Sequence, residues 1–255
     1  MPFVTVRGQS LDYALIPARR AAAPTLILLH EGLGSLALWR DFPARLAEAT
    51  GAAVLTYSRL GYGKSTSLAQ KHRVDYMHVE ALEILPALRE ALAVVDPILI
   101  GHSDGASIAL IHAGAGRWPV RGLILEAPHV FVEDVTIASI EDAREAYATT
   151  DLRARLARYH DDVDGAFQGW NDIWLDPEFR RWNIEDCLPG VTAPTLVIQG
   201  ADDEYGTTAQ LDAIAAQIGG PVETLLLADC KHSPHRDQPD AVLAAMTRFV
   251  AGVPR

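Results

Sequence analysis

Ile98-Leu99-Ile100-Gly101-His102-Ser103-Asp104-Gly105-Ala106-Ser107-Ile108 is an apolar run that ends in Gly-x-Ser-x-Gly and passes into small, helix-compatible residues. Read mechanically, a buried strand stops, the backbone turns sharply and a helix begins, with Ser103 at the apex. Gly101 and Gly105 flank that apex because such a turn leaves no room for side chains beside it. The turn holds the Ser103 hydroxyl exposed on a strained backbone, and the helix N-terminus behind it favours developing negative charge. Ser103 is therefore the candidate nucleophile.

Working outward, the chain alternates strands and helices. Phe3–Arg7 and Leu11–Ile16 flank Gly8-Gln9-Ser10 as a hairpin, and Arg19 to Pro24 is an Ala-rich connector. Thr25–Leu29 is a continuous apolar run of the kind buried on both faces, and it ends at His30-Glu31-Gly32-Leu33-Gly34-Ser35. Trp39 to Ala49 reads as a helix and Ala53–Tyr57 as a strand, followed by the loop Ser58 to Ser65. Tyr76 to Leu92 has a helical pattern, with Pro86 a local irregularity. After Ser103 a helix runs to about Ala113, and Gly122–Glu126 is the next strand. This alternation predicts an α/β fold: a mostly parallel sheet of about eight strands with helices on both faces.

The alternation lapses from about Phe131 to Pro189, where no strand-like run occurs. Glu133–Thr149, Asp151–His160 and Ala166–Leu175 read as successive helices, and Trp170, Trp174 and Trp182 all lie here. The expectation is a helical cap, residues 131–189, inserted in a core formed by residues 1–130 and 190–255. The tryptophans either pack the insertion or line a pocket beneath it. Strands and helices then resume. Thr195–Gln199 ends at Gly200-Ala201-Asp202-Asp203, Thr208–Ile218 is a helix, Glu223–Leu227 ends at Ala228-Asp229-Cys230-Lys231-His232, and Asp240–Ala251 is the last helix. Ser103, an Asp at 202 or 203, and His232 thus fall just past strand C-termini, where sites form in open parallel sheets.

Composition narrows the function classes. The 255 residues are 49% hydrophobic and 22% charged, as in a soluble globular protein. A net charge of -11, from 22 basic and 33 acidic residues, argues against nucleic acid or an anionic membrane as partner. Cys187 and Cys230 stand far apart with no metal-ligand spacing and read as reduced thiols. The stretch Met1 to Gly8 has no basic segment leading into an apolar core, and no apolar run reaches membrane-spanning length; a cytoplasmic location is expected. The expected partner is a small-molecule substrate. No metal or organic cofactor is implied, and the oligomeric state is not legible.

Taken together, the turn Gly101–Gly105, the His30 loop, Gly61-Tyr62-Gly63-Lys64-Ser65, Gly200-Ala201-Asp202-Asp203 and His232-Ser233-Pro234-His235-Arg236-Asp237-Gln238-Pro239 resemble the α/β-hydrolase family over essentially the whole chain. The order Ser, Asp, His is that family's order. The resemblance implies Ser103 as nucleophile and His232 as general base and then acid. It selects Asp203, three positions beyond the Gly that closes its strand, as the orienting carboxylate, with Asp202 and His235 as near alternatives. It also implies an oxyanion hole from the backbone N–H groups of Asp104 and Gly32, with Leu33 as fallback for the second donor. His30 and His102 are expected to hold loops by hydrogen bonds. Glu31, Leu33, His129, Trp170 and Trp174 are pocket candidates.

Three departures from the family pattern stand out: Glu31 where Gly commonly follows the loop His, Asp104 after the nucleophile, and Lys231 before the catalytic His. An acid at Asp104 suits the first turn of a helix. Glu31 and Asp104 near a pocket would favour neutral substrates over anionic ones unless a cation such as Arg59 or Lys231 pairs with them. The resemblance therefore implies a serine hydrolase of a small ester, lactone or thioester acting through an acyl-serine intermediate. The alternatives are a C–C bond hydrolase of a ring-cleavage dienone, which needs a basic group at the pocket, and a non-catalytic ligand receptor. Haloalkane dehalogenases and epoxide hydrolases of this fold carry Asp where Ser103 stands.

Overall fold

The alternating side chains of the central strands build two cores at once. In a computed structural model describing residues 2–20 and 23–254, Ile27, Leu29, Leu99 and Leu125 belong to one apolar cluster. Their chain neighbours Leu26, Leu28, Ile100 and Ile124 belong to a second. A strand side chain points to the opposite face from its neighbour, so an unbroken apolar run is stable only where both faces are covered. The strands are β1 (Phe3–Val6), β2 (Gln9–Ile16), β3 (Thr25–Leu29), β4 (Ala53–Tyr57), β5 (Ile98–His102), β6 (Gly122–Glu126), β7 (Thr195–Gly200) and β8 (Val222–Leu227). They form one sheet in the order β1-β2-β4-β3-β5-β6-β7-β8. Only the β1–β2 and β2–β4 pairings are antiparallel. The register sets Leu29 beside Gly101, His102 beside Glu126 and Gly200 beside Leu227, so the strand ends that carry the candidate residues lie along one edge.

Several local expectations are corrected. The hairpin turns at Arg7 and Gly8, both with positive φ, so Gln9 and Ser10 already belong to β2. That two-residue turn matches the twist of the paired strands. The helix expected from Trp39 is split: a 3₁₀ turn Leu36–Trp39 ends at Arg40, whose φ is 54°, and the helix proper is Phe42–Thr50. Between Tyr76 and Leu92 a π turn, Glu80–Ile84, interrupts the helix ahead of Pro86, which offers no N–H to continue the ladder. Ala21 and Ala22 of the expected connector lie outside the described residues.

Between β6 and β7 the chain is helical, as read from sequence. Asp134–Thr149, Leu152–Leu156 and Val163–Trp174 are followed by 3₁₀ turns Phe179–Arg181 and Glu185–Gly190. A single bridge, Phe131 to Asn183, closes its base. The expected helix Asp151–His160 stops at Leu156. The chain then leaves helical geometry to dock on the core, where His160 Nδ1 accepts from the Gly63 N–H at 3.1 Å and the Asp161 N–H donates to Gly63 O at 2.9 Å.

The close approach of β3 to the helix Asp104–Gly114 depends on Gly105: a Cβ there would overlap the Leu29 carbonyl. Gly105→Ala is expected to cost about 3 kcal/mol or yield insoluble protein. Gly116→Ala, at positive φ but with open space around it, should cost about 1 kcal/mol. Thermal unfolding of the two variants measures the difference.

Candidate active site

Ser103 stands between β5 and the helix Asp104–Gly114 with φ 54° and ψ -119°, a conformation that non-glycine residues rarely hold. The turn is tied down on both sides. The Ser103 N–H donates to Glu126 O at 2.9 Å, and its carbonyl accepts from the N–H groups of Ala106 and Ser107. A Cβ at Gly101 would overlap the backbone at Gly105 and Ala106, so the two glycines are steric requirements of the turn.

Beyond β7, Asp203 accepts from His232 Nδ1 at 2.8 Å and from the Tyr205 N–H at 2.9 Å through one oxygen, and from Gln199 Nε2 at 3.1 Å through the other. Burial pushes the Asp203 carboxyl up, but the His232 ring and the Tyr205 N–H outweigh it and hold it below the usual carboxylate range. Asp202 is exposed and makes no contact with His232. Ser103 and His232 line the same cavity, of about 200 Å³, with no hydrogen bond between Oγ and Nε2. Such contacts commonly close only when substrate is bound. Among the described residues the N–H groups of Gly32, Leu33 and Asp104 have no acceptor and are free to donate.

The remaining histidines divide by partner. His30 Nε2 accepts from the Arg59 N–H at 3.0 Å while Nδ1 donates to Glu31 O at 2.7 Å, which fixes one tautomer and holds two loops, as expected. His102 Nε2 donates to the carbonyl of His232 at 2.7 Å. Its Nδ1 faces the Glu31 carboxylate at 3.5 Å. Burial lowers the His102 pKa, yet Glu31, together with Glu126 and the carbonyl of His232, more than reverses this and raises it; burial likewise opposes the Glu31 charge, and His102 above all holds that carboxyl well below its usual range. His235 does not bond within its own loop. Its N–H and Nδ1 both meet Glu126 Oε2, at 2.9 and 3.0 Å, and its ring lies 4.7 Å from that of Trp39. His129 lines the cavity 5.6 Å from the His232 ring, and burial pushes it down to about 3, so it is neutral.

Asp104 is paired, and Arg59 supplies the cation. Both are 1% exposed, 3.6 Å apart, and Tyr76 Oη donates to Asp104 Oδ2 at 2.6 Å. Burial nonetheless raises the Asp104 carboxyl above its ordinary value, against the pull of Arg59, Tyr76 and the Trp174 indole. Arg59 Nη2 also donates to Glu31 O at 2.8 Å. Lys231 plays no such part: its backbone N–H bonds Asp237, and its side chain is not in an ion pair with Glu31 or Asp104.

All five pocket candidates, Glu31, Leu33, His129, Trp170 and Trp174, line the cavity, whereas Trp182 packs on Phe179 away from it. None of the lining residues is Lys or Arg. Thr136, Ile140, Phe167 and Tyr205 are among the further lining residues not singled out from sequence. The helical periodicity of Thr136 and Ile140, four apart, and the position of Tyr205 two residues after Asp203 are the signals that could have found them.

The comparisons bear on family and fold. The family model described as "Alpha/beta hydrolase family" matches residues 26–245. Proline iminopeptidase of Lactobacillus crispatus is 36% identical over 112 residues, a stretch covering 44% of this chain and 36% of that protein. This likeness therefore spans little more than a third of the relative. Proline iminopeptidase of Mycobacterium smegmatis superposes with a TM-score of 0.77 at 20% identity, covering 98% of this chain and 97% of the other. The enol-lactonase from Burkholderia xenovorans LB400 gives 0.77 at 22% identity, covering 98% and 100%. At such identities the two structures speak for the fold. No helix among the described residues is long and apolar enough to cross a membrane.

The Glu31–His102 pair generates a pH signature. A histidine whose pKa is raised by folding contributes stability that is fully present below its unfolded value, about 6.5, and is lost as pH rises through the folded value. Wild-type thermal stability should show that alkaline decline from about pH 6.5 upward. In Glu31→Gln the decline should shrink, because the variant loses the main charge that holds the His102 proton and keeps only the weaker pull of Glu126. A pH series of melting curves on both proteins checks it.

Proposed function

Because this chain belongs to the alpha/beta hydrolase family, we propose that it cleaves a small carboxylic ester, lactone or thioester through an acyl-Ser103 intermediate. The observation that carries this reading is the 2.8 Å hydrogen bond from His232 Nδ1 to buried Asp203, with the other face of the ring in the cavity that Ser103 enters from its strained turn. The Asp203 carboxylate fixes the tautomer that leaves Nε2 unprotonated and stabilises the imidazolium that follows. Ser103 Oγ attacks the carbonyl carbon, and its proton passes to His232 Nε2. The tetrahedral oxyanion takes hydrogen bonds from the Asp104 N–H and from Gly32 or Leu33, each worth roughly 3 kcal/mol at the transition state. The bond to the leaving oxygen or sulfur breaks as His232 returns the proton to it. Water, deprotonated by His232, then releases the acid and restores Ser103.

Residues 131–189 act in this reading as a cap over a core of residues 1–130 and 190–255. Its helices Asp134–Thr149 and Val163–Trp174 bring Ile140, Phe167, Trp170 and Trp174 to the cavity. These side chains suit an apolar acyl group. A carboxylated dienone would need a cation in that cavity, and no lining residue is Lys or Arg, which favours ester cleavage over C–C cleavage.

Turnover of p-nitrophenyl butyrate tests the assignment. Ser103→Ala and His232→Ala should each cost roughly 10⁴-fold or more in kcat, and Asp203→Asn about 10⁴-fold, while Asp202→Asn stays near wild type. Mass spectrometry of the quenched reaction should find the acyl adduct on Ser103. A severe Asp202→Asn defect beside a mild Asp203→Asn one would transfer the acid to Asp202.

A further inference from the structure

A groove of about 390 Å³ opens beside the cavity at Ser103 and shares Glu31, Leu33 and Leu152 with it. Four arginines line this groove: Arg40, Arg155, Arg158 and Arg236. They come from three separate parts of the chain. Arg40 follows the turn Leu36–Trp39, Arg155 and Arg158 lie in and just after Leu152–Leu156, and Arg236 lies in Pro234–Asp237, four residues beyond His232. Acidic residues outnumber basic ones 33 to 22 in this chain, so four guanidinium groups in one groove run against its composition. Arg155 pairs with Asp151 at 3.2 Å, both exposed. The other three take part in no ion pair among the described residues. All four are exposed, and Glu31 is the one acid among the residues that line the groove; like charges gathered in such excess repel, and a bound anion relieves that repulsion. Arg40 is presented from a backbone with φ 54°, the kind of strain that collects at binding sites.

The charge differs between groove and cavity. The cavity has no Lys or Arg, and its two acids, Asp104 and Glu31, already take up Arg59 and His102, so it offers an anion no free cation; the adjoining groove does. Glu31 stands at the boundary, where His102 balances its charge. In an acyl-serine mechanism the leaving group departs before water attacks, while the acyl group stays on Ser103 inside the cavity. The open, cationic side therefore belongs to the leaving group. Planar guanidinium forks match phosphate oxygens in pairs, and several of them together suit a phosphate dianion better than a single carboxylate.

We propose that the groove lined by Arg40, Arg155, Arg158 and Arg236 binds a phosphate-bearing alcohol or thiol as the leaving group of the substrate. This assignment rests on the acyl-serine reading and names its substrate class: short, uncharged acyl esters or thioesters of phosphorylated carriers.

Two matched substrate pairs test it: butyryl-glycerol 3-phosphate against monobutyrin, and butyryl-coenzyme A against butyryl-N-acetylcysteamine. In wild type the phosphorylated member of at least one pair should have the higher kcat/KM, and which pair responds tells an oxygen ester from a thioester carrier. In Arg158→Glu/Arg236→Glu that preference should fall about tenfold, mainly through KM, and added salt should erode it in wild type. Equal kcat/KM within both pairs, or a preference that the double variant leaves intact, would overturn the proposal. Failure on all four substrates and on p-nitrophenyl butyrate would overturn the hydrolytic reading instead. The groove is then judged by calorimetry with coenzyme A and glycerol 3-phosphate: binding lost in the double variant supports an anion site, and no binding to wild type removes it.

Discussion

The turn at Ser103 exists because the Leu29 carbonyl and the first turn of helix Asp104–Gly114 come so close that position 105 can carry no side chain. That contact fixes the angle at which the chain leaves β5. It also brings Ser103 and Asp104, whose N–H has no acceptor among the described residues, to the cavity wall beyond the strand end. The neighbouring strands complete the arrangement through register alone. Leu29 beside Gly101 sets the His30 loop against the turn, His102 beside Glu126 adds the next strand, and Gly200 beside Leu227 brings Asp203 and His232 to the same edge.

Two buried ionisable pairs, Arg59 with Asp104 and His235 with Glu126, and a partly exposed one, His102 with Glu31, surround this turn. Pairs removed from water contribute little net stability, because desolvation offsets most of their attraction. Breaking one, however, leaves a buried charge without a partner. Their effect is therefore on geometry. Arg59 joins the strand-end loop after β4 to Glu31 and Asp104, His102 reaches the carbonyl of His232, and His235 reaches β6. The loops that frame the cavity are thus connected by polar contacts whose loss would be costly, above a sheet whose own packing is apolar.

The strands were legible because Thr25–Leu29, Ile98–His102 and Gly122–Glu126 admit one reading: a run with no polar face has to be covered on both sides. The candidates Ser103 and Asp203 each follow such a run, whereas His232 follows the half-exposed edge strand β8 and was read from the resemblance. Helix ends were less so, since tertiary contacts decide them. The propensity of Asp151 to His160 is helical throughout, but docking of His160 and Asp161 on Gly63 ends the helix at Leu156. The partners of buried charges were the least visible. The pairing of His235 with Glu126 joins residues 109 positions apart, and no local pattern announces it. Arg59 was one of two cations considered for the acidic pair, and only the three-dimensional arrangement separates it from Lys231.

The contact of His160 and Asp161 with Gly63 has a bearing on how the cavity is reached. The helical segment is fastened there and again at its base, where Glu133 accepts from Thr207 and Gln210. A segment fastened to the core at both places is poorly suited to swing away as a rigid lid.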